Sequence, residues 1–523
     1  MCQRQLGLLC VSAAIVWTVF FPAAAAGQLL VADYSYSIGE YKLDGTANSF
    51  SFSTASSPSG MAFGSGSDLF VVSENSGSVL RYNWLTGSYL GSFDTGLSGL
   101  GGVLYDNSNN TVYASEFDNY SGHRIVKCNA TTGAQIGTLD VGTSMDLSDM
   151  ALGADGSLYV SGFWDGNVYK GSTTGGFSAL ALAQGSLSGS SGLVFDKAGN
   201  LDVVGMLTSN VFQFSSAGTA VGSLIAQGGG GLNFPSDIVV DPDGNLLVSS
   251  MNDWSANGFI GKYNPTDGSA INAGFITSLA KPTAMLVEPA VWTGGAAGIN
   301  GWKNAANWRG TQPTYPLPVI FGAVSGGHTA TSNDYDAGTQ FKGITFIAGA
   351  TQYTLQGNAV KLGGPVVNQS SSDQEIDFAM ELVNGGGAFD TGDRKLTVGG
   401  AISGDGSLAK KGGGTLALAG ALTYTGATDI QAGTLQIDTG ASTALGDISG
   451  AGTLEIGNGT TLSADSVVVN TLTLGPGCTL VINALPAGPS GFNHIRAVPE
   501  PGAMTLLAAA LGGLVFLSRR RKT

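Results

Sequence analysis

The sequence predicts an all-β protein in which a six-bladed β-propeller is followed by a β-solenoid and a short C-terminal transmembrane helix. Three observations support this prediction. Gly accounts for 82 of the 523 residues and charged residues for only 11%, which is typical of short strands joined by tight turns. A block of strand-like segments recurs through the first half of the chain. The second half alternates short Thr/Val/Leu segments with Gly, Asn and Asp turns.

The chain begins with a segment typical of a secretory signal peptide. Arg4 precedes an apolar run from Leu6 to Phe21, and small residues follow that run. We predict that a signal peptidase cuts between Ala26 and Gly27, with Ala24 at the second small position of the cleavage site. Residues 1–26 would then be absent from the mature protein. An uncleaved membrane anchor is the alternative.

One block of sequence recurs six times over residues 27–289. Each copy opens with a short apolar strand, and the second residues of these strands are 42, 47, 43, 45 and 47 positions apart. These residues are Met61, Val103, Met150, Leu193, Ile238 and Met285. A period of this length with several strands in each copy is typical of propeller blades.

The sixth copy is divided between the two ends of this region. Met285–Val287 supplies only its first strand, whereas Leu29–Val31 is predicted as a second strand and the segment around Ile38 as a third. Joining these segments would close the ring and remove the open sheet edges that invite aggregation. In this pattern the region resembles NHL-type six-bladed propellers.

Residues 290–310 form a Gly/Trp-rich joint, and residues 311–496 are predicted to form the solenoid. The clearest repeat covers 411–437 and contains Lys411–Leu418, Tyr424–Thr428 and Gly433–Ile437 in that order. These elements resemble the autotransporter-associated β-strand repeat. The resemblance implies a parallel β-helix-like stalk, in which each coil needs its neighbours to bury its apolar face.

The last segment, residues 497–523, contains three elements in a fixed order. A polar motif is followed by an apolar run over 503–517, predicted as a transmembrane helix, and then by a basic cluster that should stay cytoplasmic. The motif is Val498, Pro499, Glu500 and Pro501, and the cluster is Arg519, Arg520, Arg521 and Lys522. This arrangement resembles the PEP-CTERM sorting signal, which implies recognition by an exosortase. An ordinary tail anchor is the alternative.

Charge and cysteine content restrict the function further. A net charge of −15 argues against nucleic-acid binding, because phosphate contacts need a basic face. Only Cys128 and Cys478 remain once the signal peptide is lost, and we predict that both are free, buried thiols in different domains. The sequence contains no Gly-rich phosphate loop, zincin motif, nucleophile elbow or Cys-x-x-Cys pair.

Two columns of the aligned blades contain acidic residues. The column that opens the first strands holds Asp149 and Asp237, which we expect two blades apart at the mouth of the axial channel. The column that ends the second strands holds Asp33, Glu74 and Glu116 on adjacent blades. Hard cations such as Ca²⁺ prefer several carboxylate oxygens, so these five residues are candidate metal ligands. The alternative is that they accept backbone N–H bonds within the loops.

These observations predict a non-enzymatic exported protein of the cell envelope, the cell surface or the extracellular space. Its propeller would bind a glycan, a matrix polymer or a protein, and signal peptidase and an exosortase would process its ends. The alternative is an exported lactonase-like propeller hydrolase or lyase that uses a Ca²⁺ in the axial channel. No catalytic residue and no cofactor other than this Ca²⁺ is predicted.

Overall fold

The computed structural model describes residues 28–483 with short gaps, and beyond them only the strands 492–497, 505–510 and 513–516. The gaps are 107–108, 119–122, 143–145, 154, 183–184, 253–256, 297, 299, 310–311, 314–317, 325–328 and 384–385. The predicted signal peptide, the sorting motif at Val498–Pro501 and the basic cluster at Arg519–Lys522 lie outside the described residues.

Residues 28–287 form six four-stranded antiparallel sheets, which are the blades of a propeller. The strands are β1 Gln28–Asp33, β2 Ser37–Lys42 and β3 Ala47–Ser53 in blade 1; β4 Gly60–Phe63, β5 Asp68–Ser73, β6 Ser76–Asn83 and β7 Ser88–Asp94 in blade 2; β8 Leu100–Asp106, β9 Thr111–Glu116, β10 Arg124–Asn129 and β11 Gln135–Asp140 in blade 3; β12 Leu147–Leu152, β13 Leu158–Gly162, β14 Val168–Ser172 and β15 Gly175–Ala179 in blade 4; β16 Ser190–Phe195, β17 Leu201–Gly205, β18 Asn210–Phe214 and β19 Ala220–Ile225 in blade 5; β20 Pro235–Val240, β21 Leu246–Ser250, β22 Gly258–Tyr263 and β23 Ala270–Leu279 in blade 6; and β24 Pro282–Val287, which completes blade 1.

Blade 1 is assembled from both ends of the propeller. Its innermost strand, β24, pairs antiparallel with β1 and places Met285 opposite Val31. The innermost strands of successive blades contact one another around the axis, from β4 through β20 to β24 and back to β4. The predicted six-bladed ring, closed by its two ends, is therefore confirmed.

Apolar side chains fill the spaces between blades, because both faces of each sheet are covered by a neighbour. Val72 of blade 2 and Val103 of blade 3 belong to one such buried cluster, which also contains Cys128. Cys478 is buried in the solenoid, and both cysteines are free. The prediction of two free buried thiols is confirmed.

Residues 290–482 form a parallel β-solenoid whose strands stack along one axis. Its strands are β25 Ala290–Trp292, β26 Trp308–Arg309, β27 Val319–Phe321, β28 Ala330–Asn333, β29 Thr339–Phe341, β30 Ile344–Phe346, β31 Thr354–Gly357, β32 Val360–Leu362, β33 Val366–Asn368, β34 Gln374–Ile376, β35 Met380–Leu382, β36 Gly386–Asp390, β37 Lys395–Val398, β38 Ile402–Gly404, β39 Ser407–Lys411, β40 Thr415–Leu418, β41 Thr428–Ile430, β42 Thr434–Ile437, β43 Ser442–Leu445, β44 Ile448–Ile456, β45 Thr461–Ala464, β46 Val467–Leu474 and β47 Thr479–Ile482.

The described part of the solenoid contains eight coils, which begin at the strands β27, β30, β33, β36, β39, β41, β44 and β46. Paired residues of successive coils are 25 positions apart at Val319 and Ile344 and 19 apart at Ile448 and Val467. The interior is one continuous apolar cluster, in which every coil packs on the coil before it. The predicted all-β combination of propeller and solenoid is confirmed.

The Gly/Trp-rich joint belongs to the solenoid sheet. Strand β25 pairs in parallel with β27 and antiparallel with β26. Trp292, Trp302 and Trp308 are buried and pack edge to face, with ring centroids 5.0 Å apart for Trp292 and Trp308 and 5.9 Å apart for Trp302 and Trp308. These three rings cap the start of the solenoid core. A 3₁₀ turn, Ala305–Asn307, precedes β26, and a second, Gly229–Gly231, lies in the propeller.

Arg309 of β26 connects the solenoid to blade 1. Its guanidinium lies 2.8 Å from Oε1 of Glu40 and 3.7 Å from Oε2 of Glu288, and it also packs over the ring of Trp84. Both carboxylate side chains are buried. Burial raises the pKa of Glu288 to about 9; Arg309 opposes this shift and Glu40 adds to it. Arg309 thus forms ion pairs with two buried carboxylates at the interface between the solenoid and blade 1.

The tail contains three strands, β48 Phe492–Ala497, β49 Thr505–Ala510 and β50 Gly513–Phe516. Strands β48 and β49 continue the parallel stack from β46 and β47, and β50 pairs antiparallel with β49. The described part of 503–517 is therefore extended, and the predicted helix is not found there. The open edge of β47 supplies backbone partners to this apolar run. No helix among the described residues is long and apolar enough to cross a membrane.

Candidate functional site

A cavity of about 580 Å³ lies on the propeller axis and is lined by residues of all six blades. Its walls are the innermost strands of the blades. Its mouth is formed by the segments that follow β1, β5, β9, β13, β17 and β21. Two side chains of the mouth, Trp164 and Leu207, are 38% and 44% exposed, so the cavity is accessible from this side.

A set of large apolar side chains surrounds the mouth at equivalent positions of five blades. We call it the apolar ring, and it consists of Tyr34, Phe117, Phe163, Met206 and Met251. In blade 2 the equivalent residue is Glu74, because Met61 pairs with Val71 as Met150 pairs with Val160, and Glu74 and Phe163 each lie three residues beyond the paired valine. The rings of Phe117 and Phe163 meet edge to face with centroids 5.6 Å apart. The apolar ring was not predicted from the sequence, although it lies one residue beyond Asp33 and Glu116. Glu74 lies at the ring position and not in the column of Asp33 and Glu116, because the β4–β5 hairpin is one residue shorter than the β8–β9 hairpin.

Asp149 and Asp237 line the cavity from blades 4 and 6, and each is bonded to the following blade. Oδ2 of Asp149 accepts a hydrogen bond from the backbone N–H of Leu193 at 3.2 Å. Oδ2 of Asp237 accepts one from Met285 at 2.6 Å, and its Oδ1 accepts one from Ile238 at 2.7 Å. Each carboxylate thus joins two adjacent blades, and its donors belong to strands and not to the loops considered in the sequence analysis.

The enclosure of these two carboxylates disfavours their charged forms. Burial raises the pKa of Asp149 to about 6, although the N–H groups of Met150 and Leu193 oppose the shift. Burial and the charge of Asp149 raise the pKa of Asp237 well above its usual value. The two side chains, on the blades that flank blade 5, therefore interact electrostatically.

The other three candidate ligands are distributed differently. Glu74 lines the mouth of the cavity, where the surrounding protein and the charge of Asp146 raise its pKa. Oδ2 of Asp33 accepts hydrogen bonds from the backbone N–H groups of Ala280 and Lys281 at 3.1 and 3.3 Å. Neither Asp33 nor Glu116 is among the residues that line the cavity.

Glu116 forms an ion pair with Arg124, and its Oε2 lies 3.0 Å from Nε of that residue. Burial opposes the shift, but the bonds from Arg124 and from the N–H of His123 lower the pKa of Glu116. The five acidic residues do not converge. Within the described ranges, no group of three or more His, Cys, Asp or Glu side chains could hold a metal ion. Since Ca²⁺ takes six to eight oxygen ligands, these residues fit it poorly.

The charge of the cavity has one sign. Asp149, Asp237 and Glu74 line it, whereas no Lys, Arg or His is among the described lining residues. Ser191 also lines it, is 7% exposed, and has a hydroxyl without a hydrogen-bond partner within the described part of the chain. The cavity therefore offers acceptors and apolar surface, without a basic group.

Residues 408–437 match the passenger-associated-transport-repeat family. The match runs from β39 to β42 and confirms the passenger-type repeat predicted from the sequence. No curated protein sequence matches the chain. A propeller combined with this repeat indicates an exported structural or binding protein, and the repeat itself indicates a secreted protein of the cell surface.

About half of the chain is similar to several solved structures. A streptogramin B lyase shares 13% identity over 49% of this chain and 80% of its own, with a TM-score of 0.38. A protein of unknown function from Bacteroides caccae shares 10% over 50% of this chain and 98% of its own, with a TM-score of 0.40. Virginiamycin B lyase from Staphylococcus aureus shares 13% over 46% and 79%, with a TM-score of 0.37. At these values the similarities carry no conclusion about activity.

Proposed function

We propose that this protein is an exported binding protein of the cell surface, whose propeller takes up a ligand in the axial cavity. The observation that carries the proposal is the pairing of a passenger-type repeat with a propeller that has a lined cavity. The glycan, matrix polymer or protein expected as ligand would present one group to this cavity. The apolar ring would supply most of the contact surface, as is usual in ligand sites.

The solenoid would act as the stalk that presents the propeller. Eight coils at about 4.8 Å per strand extend roughly 38 Å. The interface is built to hold the two parts together, because Arg309 pairs with Glu40 while Val291 and Ile320 pack into the apolar cluster between blades 1 and 2. A ligand bound at the axis would therefore be held at a fixed place relative to the stalk.

We further propose that both ends of the chain are processed. Signal peptidase would cut after Ala26, and an exosortase would act at Val498–Pro501 after export. In a bilayer the apolar run 503–517 has no solenoid edge to pair with, so its backbone groups must be satisfied within the segment, which favours a helix. Arg519–Lys522 would keep the end of this helix on the cytoplasmic side.

The hydrolase or lyase alternative is not favoured. Asp149 and Asp237 are used as acceptors for backbone N–H groups between blades, and the carboxylates do not form a Ca²⁺ site. We therefore propose a binding role without catalysis.

The proposal is tested by fractionating the native host and measuring the intact mass of the protein. We expect the protein outside the inner membrane, with a mass that begins near Gly27 and ends near Pro499. A Glu500→Ala variant should keep the tail and remain in the inner membrane, whereas Glu455→Ala, a substitution within the solenoid, should be processed normally. Recovery of the full-length chain in the cytoplasm would contradict the proposal.

A further inference from the structure

We propose that the axial cavity binds the protonated amine of an apolar ligand, with the ammonium beside Asp149 and Asp237 and the apolar body against the apolar ring. This inference rests on the proposed binding function and adds the chemical class of the group that enters the cavity. It follows from the charge, the hydrogen bonding and the shape of the site.

The first step is the balance of charge. Three carboxyl side chains line the cavity, and no basic side chain among the described lining residues offsets them. The charge of Asp149 raises the pKa of Asp237, so the two carboxylates repel each other within the propeller. An opposite charge within about 4–6 Å favours the ionised form of a carboxylate. A cationic ligand would supply the charge that the propeller lacks, whereas an anion would be repelled.

The second step separates an ammonium group from a metal ion. Asp237 already accepts one backbone N–H at each oxygen, and Asp149 accepts the N–H groups of Met150 and Leu193. The lone pairs that remain are too few for Ca²⁺, which needs six to eight oxygens. An alkylammonium has only three N–H donors to satisfy. Two half-used carboxylates and the Ser191 hydroxyl, which has no partner in the described part of the chain, match that need.

The third step concerns the body of the ligand. The apolar ring presents Phe117, Phe163 and Tyr34 around the mouth, and Trp164 packs against Phe163 with ring centroids 4.8 Å apart. Aromatic faces attract cations and also contact apolar groups. A volume of about 580 Å³ falls within the range of sites for drug-sized ligands. An aromatic or aliphatic amine therefore fits both the floor and the mouth of the cavity.

The test is isothermal titration of the purified protein at pH 8 with three probes of one shape: 2-naphthylmethylamine, 2-naphthylmethanol and 2-naphthoate. We expect the amine to bind at least tenfold more tightly than the alcohol, and the carboxylate not to bind. The double variant Asp149→Asn/Asp237→Asn should lower the amine affinity at least tenfold and leave the alcohol affinity unchanged. If the double variant does not fold, each single variant should lose part of the preference for the amine.

The matched control is Asp155→Asn, which changes an exposed acid of the same blade outside the cavity and should not alter binding. Equal affinity for amine and alcohol would overturn the inference and leave the cavity as an apolar binding site, so the proposed function would survive. Failure of the amine to bind would also overturn it. Stoichiometric Ca²⁺ binding that the double variant abolishes would overturn it in favour of a metal site.

Discussion

Replacing Arg309 by Met should destabilise the protein more than any other single loss of an ion pair described here. Arg309 is paired with two buried carboxylates, and the side chains of Glu40 and Glu288 are 2% and 0% exposed. Methionine keeps much of the aliphatic volume and removes the cation, so at least one acid is left charged and unpaired or takes up a proton. Breaking a buried pair in this way costs about 3–5 kcal/mol.

The size of the effect can be compared with an exposed pair on the same solenoid. Lys303 and Asp336 lie 3.3 Å apart, with side chains 50% and 97% exposed. Exposed pairs contribute about 0–1 kcal/mol, so Lys303→Met should change stability little. With a urea dependence of about 2–3 kcal/mol per M, Arg309→Met should lower the unfolding midpoint by about 1–2.5 M. Tryptophan fluorescence reports the transition, since Trp84 and Trp308 lie close to the interface.

The same variant should respond to pH in a defined direction. A carboxyl group whose pKa is raised in the folded state takes up a proton on folding, so its penalty is largest at high pH and declines as pH falls. Burial raises the pKa of Glu288, and loss of Arg309 removes the effect that opposes this shift. The deficit of Arg309→Met should therefore be smaller at pH 5 than at pH 8, and adding Glu40→Gln should reduce it at pH 8. A deficit equal to that of Lys303→Met, or one that grows on acidification, would refute the reasoning.

Three further predictions concern single side chains. Lys410 is buried in the solenoid, and its Nζ donates to the carbonyls of Lys411, Gly412 and Ala432 at 2.8, 2.7 and 3.0 Å. Lys410→Met should therefore lower the free energy of unfolding, measured in urea, by about 3 kcal/mol. The control Lys395→Met, at an exposed position, should lower it by less than about 0.5 kcal/mol. The pKa of Asp149 is about 6 in the folded protein, above its value in the unfolded chain. The free energy of unfolding of the wild type should therefore fall by about 2–3 kcal/mol relative to that of Asp149→Asn as pH rises from 4 to 7. A difference in urea midpoints that stays constant over this range would contradict the raised pKa. Phe163→Ala should weaken the binding of 2-naphthylmethylamine about fivefold to tenfold in isothermal titration. The control Ile136→Ala, on the outer strand of blade 3, should leave this affinity unchanged. If the two variants change the affinity equally, the apolar ring is not the contact surface.

The architecture was largely predictable because it repeats. The spacings between Met61 and Met285 predicted six blades, and the missing strands of the last copy predicted that β1 would pair with β24. The passenger-type repeat was predictable because its Gly and Thr-Leu positions define the corners and inward faces of each coil. Each copy buries the same positions against its neighbour, so the same apolar and glycine pattern recurs along the chain and can be recognised in the sequence.

The chemistry of the site was less accessible. The blade alignment placed Asp149 and Asp237 in one column, and both line the axis. It could not show that their oxygens are used by the N–H groups of Leu193 and Met285, because that depends on the offset between adjacent blades. The apolar ring was visible only as a column of unlike residues, Tyr, Phe and Met, which have no common motif.

The secondary structure of the C-terminal tail could not be predicted from the sequence either, because it depends on the surroundings of the segment. An apolar run such as 503–517 can form a helix in a bilayer or a strand beside an open sheet edge, since composition alone does not distinguish the two. In the structure, Thr505–Ala510 pairs with the edge of Thr479–Ile482. The choice depends on what surrounds the segment, and the sequence does not specify the surroundings.

The central claim, that the propeller is displayed outside the cell, is tested most directly by cysteine labelling of intact cells. Leu207 lies at the cavity mouth and is 44% exposed, whereas the native Cys128 and Cys478 are buried, so the wild type provides a low background after removal of the signal peptide. We expect a membrane-impermeant polyethylene-glycol maleimide to label Leu207→Cys on intact cells and to leave the wild type unlabelled. Labelling of Leu207→Cys only after the cells are broken open would contradict the account.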